Sequence, residues 1–504
     1  ARTHRYALPM HRRRPAVVLA VALATTLVSG CSDDPGRITA RVDRSTTTTT
    51  AAATTTTAAT TGTAGSADVG DAIVPGAGNG GYDVTNYDLA ITVADDRTTI
   101  EATATIEATA TQDLSAFNFD LDGLTVDEVT VDDEAATFTH EGSELAITPT
   151  APIASGADLT TVVRYHGAPT PVQDPSAPGT IGWLSAPSGT YVAGEPTGAR
   201  GFFPCNDHPS DKATFTIAVT AADRDTVVAN GVLGSKVATG DGHTTWTFGQ
   251  SDPMATYLVQ VAVGDYELVE STGPGGVPIR HAVVRSVTAA QREVLDDTGA
   301  QLEFFESLFG PFPFDNYGLL VADSGPEFAL ETQTLTLLPS EWLTSFDPAS
   351  TSSVMAHELA HQWFGDAVTP ARWSDIWLNE GFATYGEWLW NDHVGTTPID
   401  EAVDDAMAQA PRWRDAFGPV ASPAAPVLFS PNQYDGAGIV LHALRLTVGD
   451  DTFFEILRTW ASERDGTSVT TEDFQELATR LAGQDLVAFF DAWLRSPTLP
   501  TLPR

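Results

Sequence analysis

The chain has 504 residues, 42% of them hydrophobic, and 66 acidic against 26 basic side chains give it a formal net charge of −40. That length allows roughly two to four domains, each able to bury a core, and a surface this acidic repels phosphate backbones, so no nucleic-acid partner is expected. With only two cysteines, Cys31 and Cys205, a disulfide scaffold and a cysteine-based zinc site are both excluded.

Residues 1–30 run against the acidic trend, with five Arg and no acid. Met10 followed by His11-Arg12-Arg13-Arg14 reads as a translation start and a basic head, which leaves residues 1–9 upstream of it. Ala16 to Val28 is a short apolar stretch, the length of a signal h-region rather than of a membrane span. It ends in Leu27-Val28-Ser29-Gly30-Cys31, which resembles a bacterial lipoprotein signal, with Cys31 as the lipidated new N-terminus. The expectation is an exported protein at the outer face of the cell membrane, anchored through Cys31, or else secreted. Ser45 to Ser66 contains only Ser, Thr, Ala and Gly. Such a run cannot bury apolar area, so residues 31–80 are expected to be a disordered linker.

From Gly81 the hydrophobic period is two. Tyr87, Leu89, Ile91 and Val93 alternate with small or polar residues, as do Phe117, Phe119 and Leu121, and Phe215, Ile217 and Val219. Tyr257 to Val263 is a more continuous apolar run. Turn residues separate these pieces, which predicts an all-β domain over 81–270.

Beyond Thr288 the period moves towards 3.6, which predicts a mainly helical domain over 271–504. Helices are expected over 293–309 with a stop at Gly310-Pro311, over 352–365 after the Asp347-Pro348 break, and over 374–390 and 436–448. Thr470 with Asp473 can cap a further helix, followed by 486–494.

The strongest chemical signal lies on the second of these helices, His357-Glu358-Leu359-Ala360-His361. Residues four apart share a helix face, so both imidazoles can reach one metal ion. Glu358 beside them can take a proton from an attacking water. A catalytic zinc needs a third protein ligand. Glu380 lies on the next predicted helix, flanked by Trp377, Leu378 and Phe382, where an unpaired carboxylate would be costly to bury. Two His and one carboxylate suit one Zn2+ per chain.

HELAH followed by Asn379-Glu380-Gly381-Phe382-Ala383 is similar to the gluzincin metallopeptidases of the aminopeptidase N family. Gly81 to Leu89, Ala199 to Asp207 and Pro253 to Val259 also resemble family segments, in the family's order, so the resemblance spans roughly residues 80–495. It implies a multidomain protein, with an N-terminal all-β saddle-like sandwich domain before a mainly α-helical thermolysin-like catalytic domain.

It also implies that peptide substrates are held by their free N-terminus. The family's GAMEN motif is altered here to Phe328-Ala329-Leu330-Glu331-Thr332, but its acid survives as Glu331. Glu195, just before the Ala-Arg pair, matches the second amine-binding acid, and Glu327 is the weaker candidate. Tyr434, before the helix from Gly436, matches the catalytic tyrosine that donates to the oxyanion. The chain ends near residue 504, which leaves no room for the long C-terminal helical domain of larger relatives and implies a more open site. The expected activity is zinc-dependent aminopeptidase hydrolysis, with a zinc endopeptidase or a non-catalytic surface binding protein as alternatives. His442 and Cys205 read as core residues, Trp388 to Trp390 as packing, and His208 and Asp211 as turn residues without chemistry.

Overall fold

The computed structural model describes residues 61–503, apart from 178, 324–327, 422 and 424–426. The signal segment, Cys31, the tether up to residue 60 and Glu327 lie outside the described residues.

The N-terminal half is built on an eight-stranded sheet. Tyr82–Val93 lies at its centre, antiparallel to Ile100–Ala110 and parallel to Lys212–Ala222. The period-two pattern works as expected: Tyr87, Leu89, Ile91 and Val93 all point into the core. The parallel register puts Phe215 beside Tyr87, Ile217 beside Leu89 and Val219 beside Ile91. The Tyr87 and Phe215 rings stack with centroids 4.9 Å apart. Leu114–Asp120 and Glu144–Thr148 belong to a four-stranded sheet that buries Phe117, Phe119, Leu145 and Ile147 into the same core.

A further four-stranded sheet, Gly182–Ala186, Gly189–Ala193, Val261–Gly264 and Thr226–Ala229, lies between this core and that of the helical half. Its strands alternate between the two: Val192, Val227, Val261 and Val263 join the β core, whereas Tyr191, Val228 and Ala262 join the other. A strand buried on both faces has no polar side to show, which is why Val261 to Val263 reads as continuously apolar; Tyr257 and Leu258 before it belong to a buried 3-10 turn.

Two expectations are corrected here. Residues 61–80 are not a disordered linker. Thr63–Ala64 pairs with the strand Leu114–Asp120, Ile73, Val74 and Ala77 are buried, and Asn79 bonds Asn206 and Asp120. The Ser/Thr-rich stretch ends before these apolar residues, and the backbone of Thr63–Ala64 can pair with a strand whatever its side chains are. The change-over at residue 270 also falls inside a strand. Tyr266–Thr272 pairs with Pro278–Val284 in a sheet completed by Leu319–Ala322 and Thr336–Pro339, within the core of the helical half.

The helical half includes Asp297–Phe309, Pro348–Ala360, Trp377–Val394, Asp435–Val448 and Thr471–Ala482. Asp347 caps the second of these by accepting from the amides of Ala349 and Ser350, with Pro348 at the first helical position. Thr470 and Asp473 form the expected capping box. Two long helices, Ile399–Phe417 and Asp450–Glu463, have no counterpart in the sequence reading. The first contains Pro411 and buries only Ile399, Val403, Ala406, Ala410 and Arg414. A proline inside a short apolar stripe reads as a break, and tertiary packing overrides it here.

Candidate active site

Two helices carry the candidate metal ligands. His357 lies on Pro348–Ala360 and His361 is its C-cap residue, still with helical backbone angles (φ −57°, ψ −29°). The two imidazoles therefore keep the i, i+4 relation. Glu380 lies on the first turn of Trp377–Val394, which packs across the first helix. Gly386 allows this approach, since a Cβ there would stand 2.7 Å from Cβ of Ala360. One oxygen of Glu380 faces His357 Nε2 at 3.3 Å and His361 Nε2 at 3.4 Å, and one ligand atom from each of the three lies within 4.8 Å of the others. All three are buried. Burial would raise the Glu380 pKa, but its contacts with the two imidazoles dominate and hold it down at about 2.

The outer contacts orient these ligands. His357 Nδ1 faces Glu387 at 3.5 Å, and Glu387 accepts from the Ser353 hydroxyl at 2.6 Å. His361 Nδ1 faces the carbonyl of Phe364 at 3.3 Å. With an acceptor at each Nδ1, the Nε2 atoms are left as donors of electron pairs towards the shared point, the arrangement a metal site requires.

Glu358 is buried one residue on from His357. Its burial, with Glu331 and Glu380 adding to it, pushes its pKa up to about 8 against the pull of the two imidazoles. An oxygen of Glu331, an oxygen of Glu358 and a ring nitrogen of His361 lie within 4.8 Å of one another, so Glu331 stands beside Glu358. Glu195 completes the group. It is 5% exposed, and its Oε1 has no hydrogen-bond partner. Burial raises its pKa well above the carboxylate range, and Glu331 is the largest charge acting on it in the same direction. Tyr434 stacks over His357 with ring centroids 5.9 Å apart. Its phenol is likewise pushed up, first by burial and then by Glu380 and Glu195. The structure thus brings all seven candidate residues into one neighbourhood.

Sequence reading did not identify three supporting residues. Asn379 donates to Glu331 Oε1 at 2.8 Å. Gln362 donates to the Glu331 carbonyl at 2.9 Å and accepts from the amide of Thr334 at 2.9 Å. Glu387 is the third. It lies seven positions after Glu380, two helical turns along the same face, a spacing that could have flagged it. Asn379 and Gln362 each lie directly beside a candidate ligand in the chain, and periodicity does not say that both meet Glu331. His208 and Asp211 belong to a buried polar network: Asp211 accepts from Asn206 and from the Val84 amide, and His208 faces Asp71. His442 and Trp388 to Trp390 are buried, as is Cys205, the free cysteine among the described residues.

Residues 190–258 match the peptidase M1 N-terminal domain and residues 293–493 the peptidase family M1 domain. The crystal structure of an M1 zinc metallopeptidase from Deinococcus radiodurans superposes with a TM-score of 0.78 at 32% identity, covering 87% of this chain and 99% of that one. The chain belongs to peptidase family M1. The catalytic ion of M1 metallopeptidases is zinc, and the buried His357, His361 and Glu380 set fits it in donor type and number. A variant of the same Deinococcus enzyme has been solved bound to the substrate Tyr-Ser-Ala. Among curated M1 relatives, aminopeptidase 2 of Candida albicans is 29% identical over 334 residues, 61% of this chain and 35% of its own length. Human glutamyl aminopeptidase is 35% identical over 215 residues, 40% of this chain and 22% of its own. The chain spans about a third or less of the length of these curated relatives.

Proposed function

We propose that this M1 peptidase is an aminopeptidase, removing residues from peptides with a free N-terminus. The observation that carries the reading is the pair of buried carboxylates Glu195 and Glu331, the second beside Glu358 and the strongest charge acting on the first, with one Glu195 oxygen left unpartnered. A buried carboxylate without a cation or donor costs several kcal/mol. A substrate ammonium entering between the two supplies both, through charge-assisted hydrogen bonds. An N-blocked peptide supplies neither and is rejected.

In this reading His357, His361 and Glu380 hold zinc, which supplies Lewis acidity at the scissile carbonyl. Glu195 and Glu331 fix the N-terminus and so bring the first peptide bond to Glu358. Glu358 takes a proton from the attacking water and passes it to the leaving amine. Tyr434, kept protonated by burial, donates its hydroxyl proton in a hydrogen bond to the developing oxyanion. That a variant of the Deinococcus relative is bound to the substrate Tyr-Ser-Ala supports a peptide substrate.

The experiment pairs aminoacyl-amide fluorogens with their N-acetylated twins, beside a Glu358→Gln control. Cleavage of the free-amine set alone, absent in the control, is the expected result. Cleavage of both sets would remove the anchor roles of Glu195 and Glu331 and favour an endopeptidase.

We also propose that residues 1–30 direct export and that lipidated Cys31 anchors the protein. No helix among the described residues is long and apolar enough to cross a membrane, and the small-residue stretch before Cys31 supports the reading. Labelling with a fatty-acid analogue, lost in Cys31→Ala, is the expected outcome; a labelled Cys31→Ala chain would refute it.

A further inference from the structure

We propose that residues 61–80 form a strap that keeps Glu380 in register with the two histidines, and that Asp71 is its positioning residue. Asp71 is 8% exposed, and both of its oxygens are used. Oδ1 accepts from the amides of Ile73 at 2.7 Å and Val74 at 3.0 Å, which closes the tip of the strap. Oδ2 accepts from the amide of Trp373 at 2.9 Å, 302 positions along the chain, and faces His208 Nε2 at 3.3 Å. These donors outweigh burial and hold the Asp71 carboxyl down at about 2.

Trp373 opens the short 3-10 turn that leads into the helix carrying Glu380. The Ile376 amide donates to the Trp373 carbonyl at 3.2 Å, and the Glu380 amide donates to the Ile376 carbonyl at 3.0 Å. Three successive hydrogen bonds therefore run from the Asp71 carboxylate to the backbone of the metal ligand. An amide at the head of a turn has no partner within the turn, and a charged acceptor holds it about twice as strongly as a neutral one. The rest of the turn is tied elsewhere, through Asp375 to Arg372 and Thr471. Asp71 alone among the described side chains accepts from the Trp373 amide.

The strap is seated by Gly78, which has φ +71°. A Cβ there would come 2.6 Å from Cβ of His208. The Trp373 ring in turn packs edge-on against Tyr257, with centroids 5.3 Å apart. A carboxylate that served only the fold would leave the metal unaffected. One that sets the start of the ligand helix would not.

The inference rests on Glu380 as a zinc ligand, which zinc stoichiometry of the unaltered chain tests separately. The test compares the full chain with Asp71→Ala and Asp71→Asn, below the melting point of each. Zinc affinity is read by chelator competition, and kcat and KM on an aminoacyl amide. Asp71→Ala is expected to weaken zinc binding about tenfold and to lower kcat while KM stays within about twofold. Asp71→Asn keeps an acceptor of the same shape and is expected to recover most of both. A lowered Tm with zinc affinity and kcat unchanged would overturn the proposal. If Asp71→Ala does not fold, Gly78→Ala replaces it: the new methyl lifts the strap from His208 and leaves Asp71 intact. The same loss of zinc affinity is expected there, and an unchanged affinity in Gly78→Ala overturns the strap role.

Discussion

Asn379 donates from Nδ2 to Oε1 of Glu331 across 2.8 Å, so the residue next to the third candidate ligand holds the candidate amine anchor. The approach is close: Gly365, at φ +136°, leaves room where a Cβ would meet the Asn379 Oδ1 atom at 2.0 Å. Candidate ligand and candidate anchor are thereby both tied to the helix Trp377–Val394. Asn379→Ala removes one hydrogen bond to a charged acceptor, worth about 2 kcal/mol. The expected result is a KM for free-amine substrates about thirtyfold higher, with kcat changed much less, in steady-state kinetics. Asn379→Asp sets a carboxylate against a carboxylate and is expected to be worse than Asn379→Ala. Equal KM in all three proteins would dissociate Asn379 from substrate binding.

Glu195→Gln tests the second anchor. The amide keeps the shape and loses the charge that an ammonium would meet. Loss of about 1.5–3 kcal/mol corresponds to a fall of roughly 10- to 150-fold in kcat/KM on free-amine substrates. Zinc content, measured by mass spectrometry, is expected to stay at one ion per chain. A loss of zinc along with activity would instead place Glu195 in the metal's support.

For Glu358→Gln the expected signature is different. A lost general base costs roughly 10²- to 10⁴-fold in kcat, whereas the three metal ligands are untouched. Zinc binding at wild-type affinity with kcat reduced by at least about a hundredfold would support the proton-transfer role. Activity within tenfold of wild type would exclude it.

Glu387 accepts from Ser353 and faces His357 Nδ1 at 3.5 Å. Removing such an outer partner typically weakens a metal site about 10- to 100-fold. Glu387→Ala is expected to lose zinc to a chelator at correspondingly lower concentration. Glu387→Gln, which can still accept at one oxygen, is expected to lie between the two.

Away from the site, His281 makes stability depend on pH. It is buried, and its Nδ1 accepts from the Leu319 amide at 3.1 Å. Burial lowers its pKa from 6.5 to about 4. The folded chain therefore binds fewer protons here than the unfolded chain between those values, and stability falls as pH drops from 6.5 towards 4. The upper bound on the effect is about 3 kcal/mol. His281→Asn, whose amide oxygen can accept from Leu319, is expected to flatten that slope in denaturant titrations at several pH values. An identical slope in wild type and variant would assign the acid sensitivity to other groups.

Helix positions were read most securely where a local rule governs them. The capping box of Thr470 and Asp473 and the stop at Gly310 involve neighbours a few residues apart, and both stand as expected. The period-two strands are equally local, because alternation follows from the geometry of a single strand. The helix Ile399–Phe417 failed for the opposite reason. Its stripe is sparse and interrupted by Pro411, and it forms because the bundle beside it buries what stripe there is.

The site divides in the same way. By itself the sequence pointed to the candidate donor set: His357 and His361 share a face because a helix turns once in 3.6 residues, and Glu380 was the acid on the next apolar helix. Its acidic, cysteine-poor composition argued against a nucleic-acid partner and a cysteine-based site. Only the tertiary structure decided that Glu195 is buried within the field of Glu331, that Asn379 and Gln362 bond Glu331, and that Asp71 reaches Trp373. These partners are separated by 31 to 302 positions. Their meeting depends on how separate elements pack, within one half of the molecule for Glu331 and its donors and across both for Asp71 and Trp373, and no periodicity within one element encodes it.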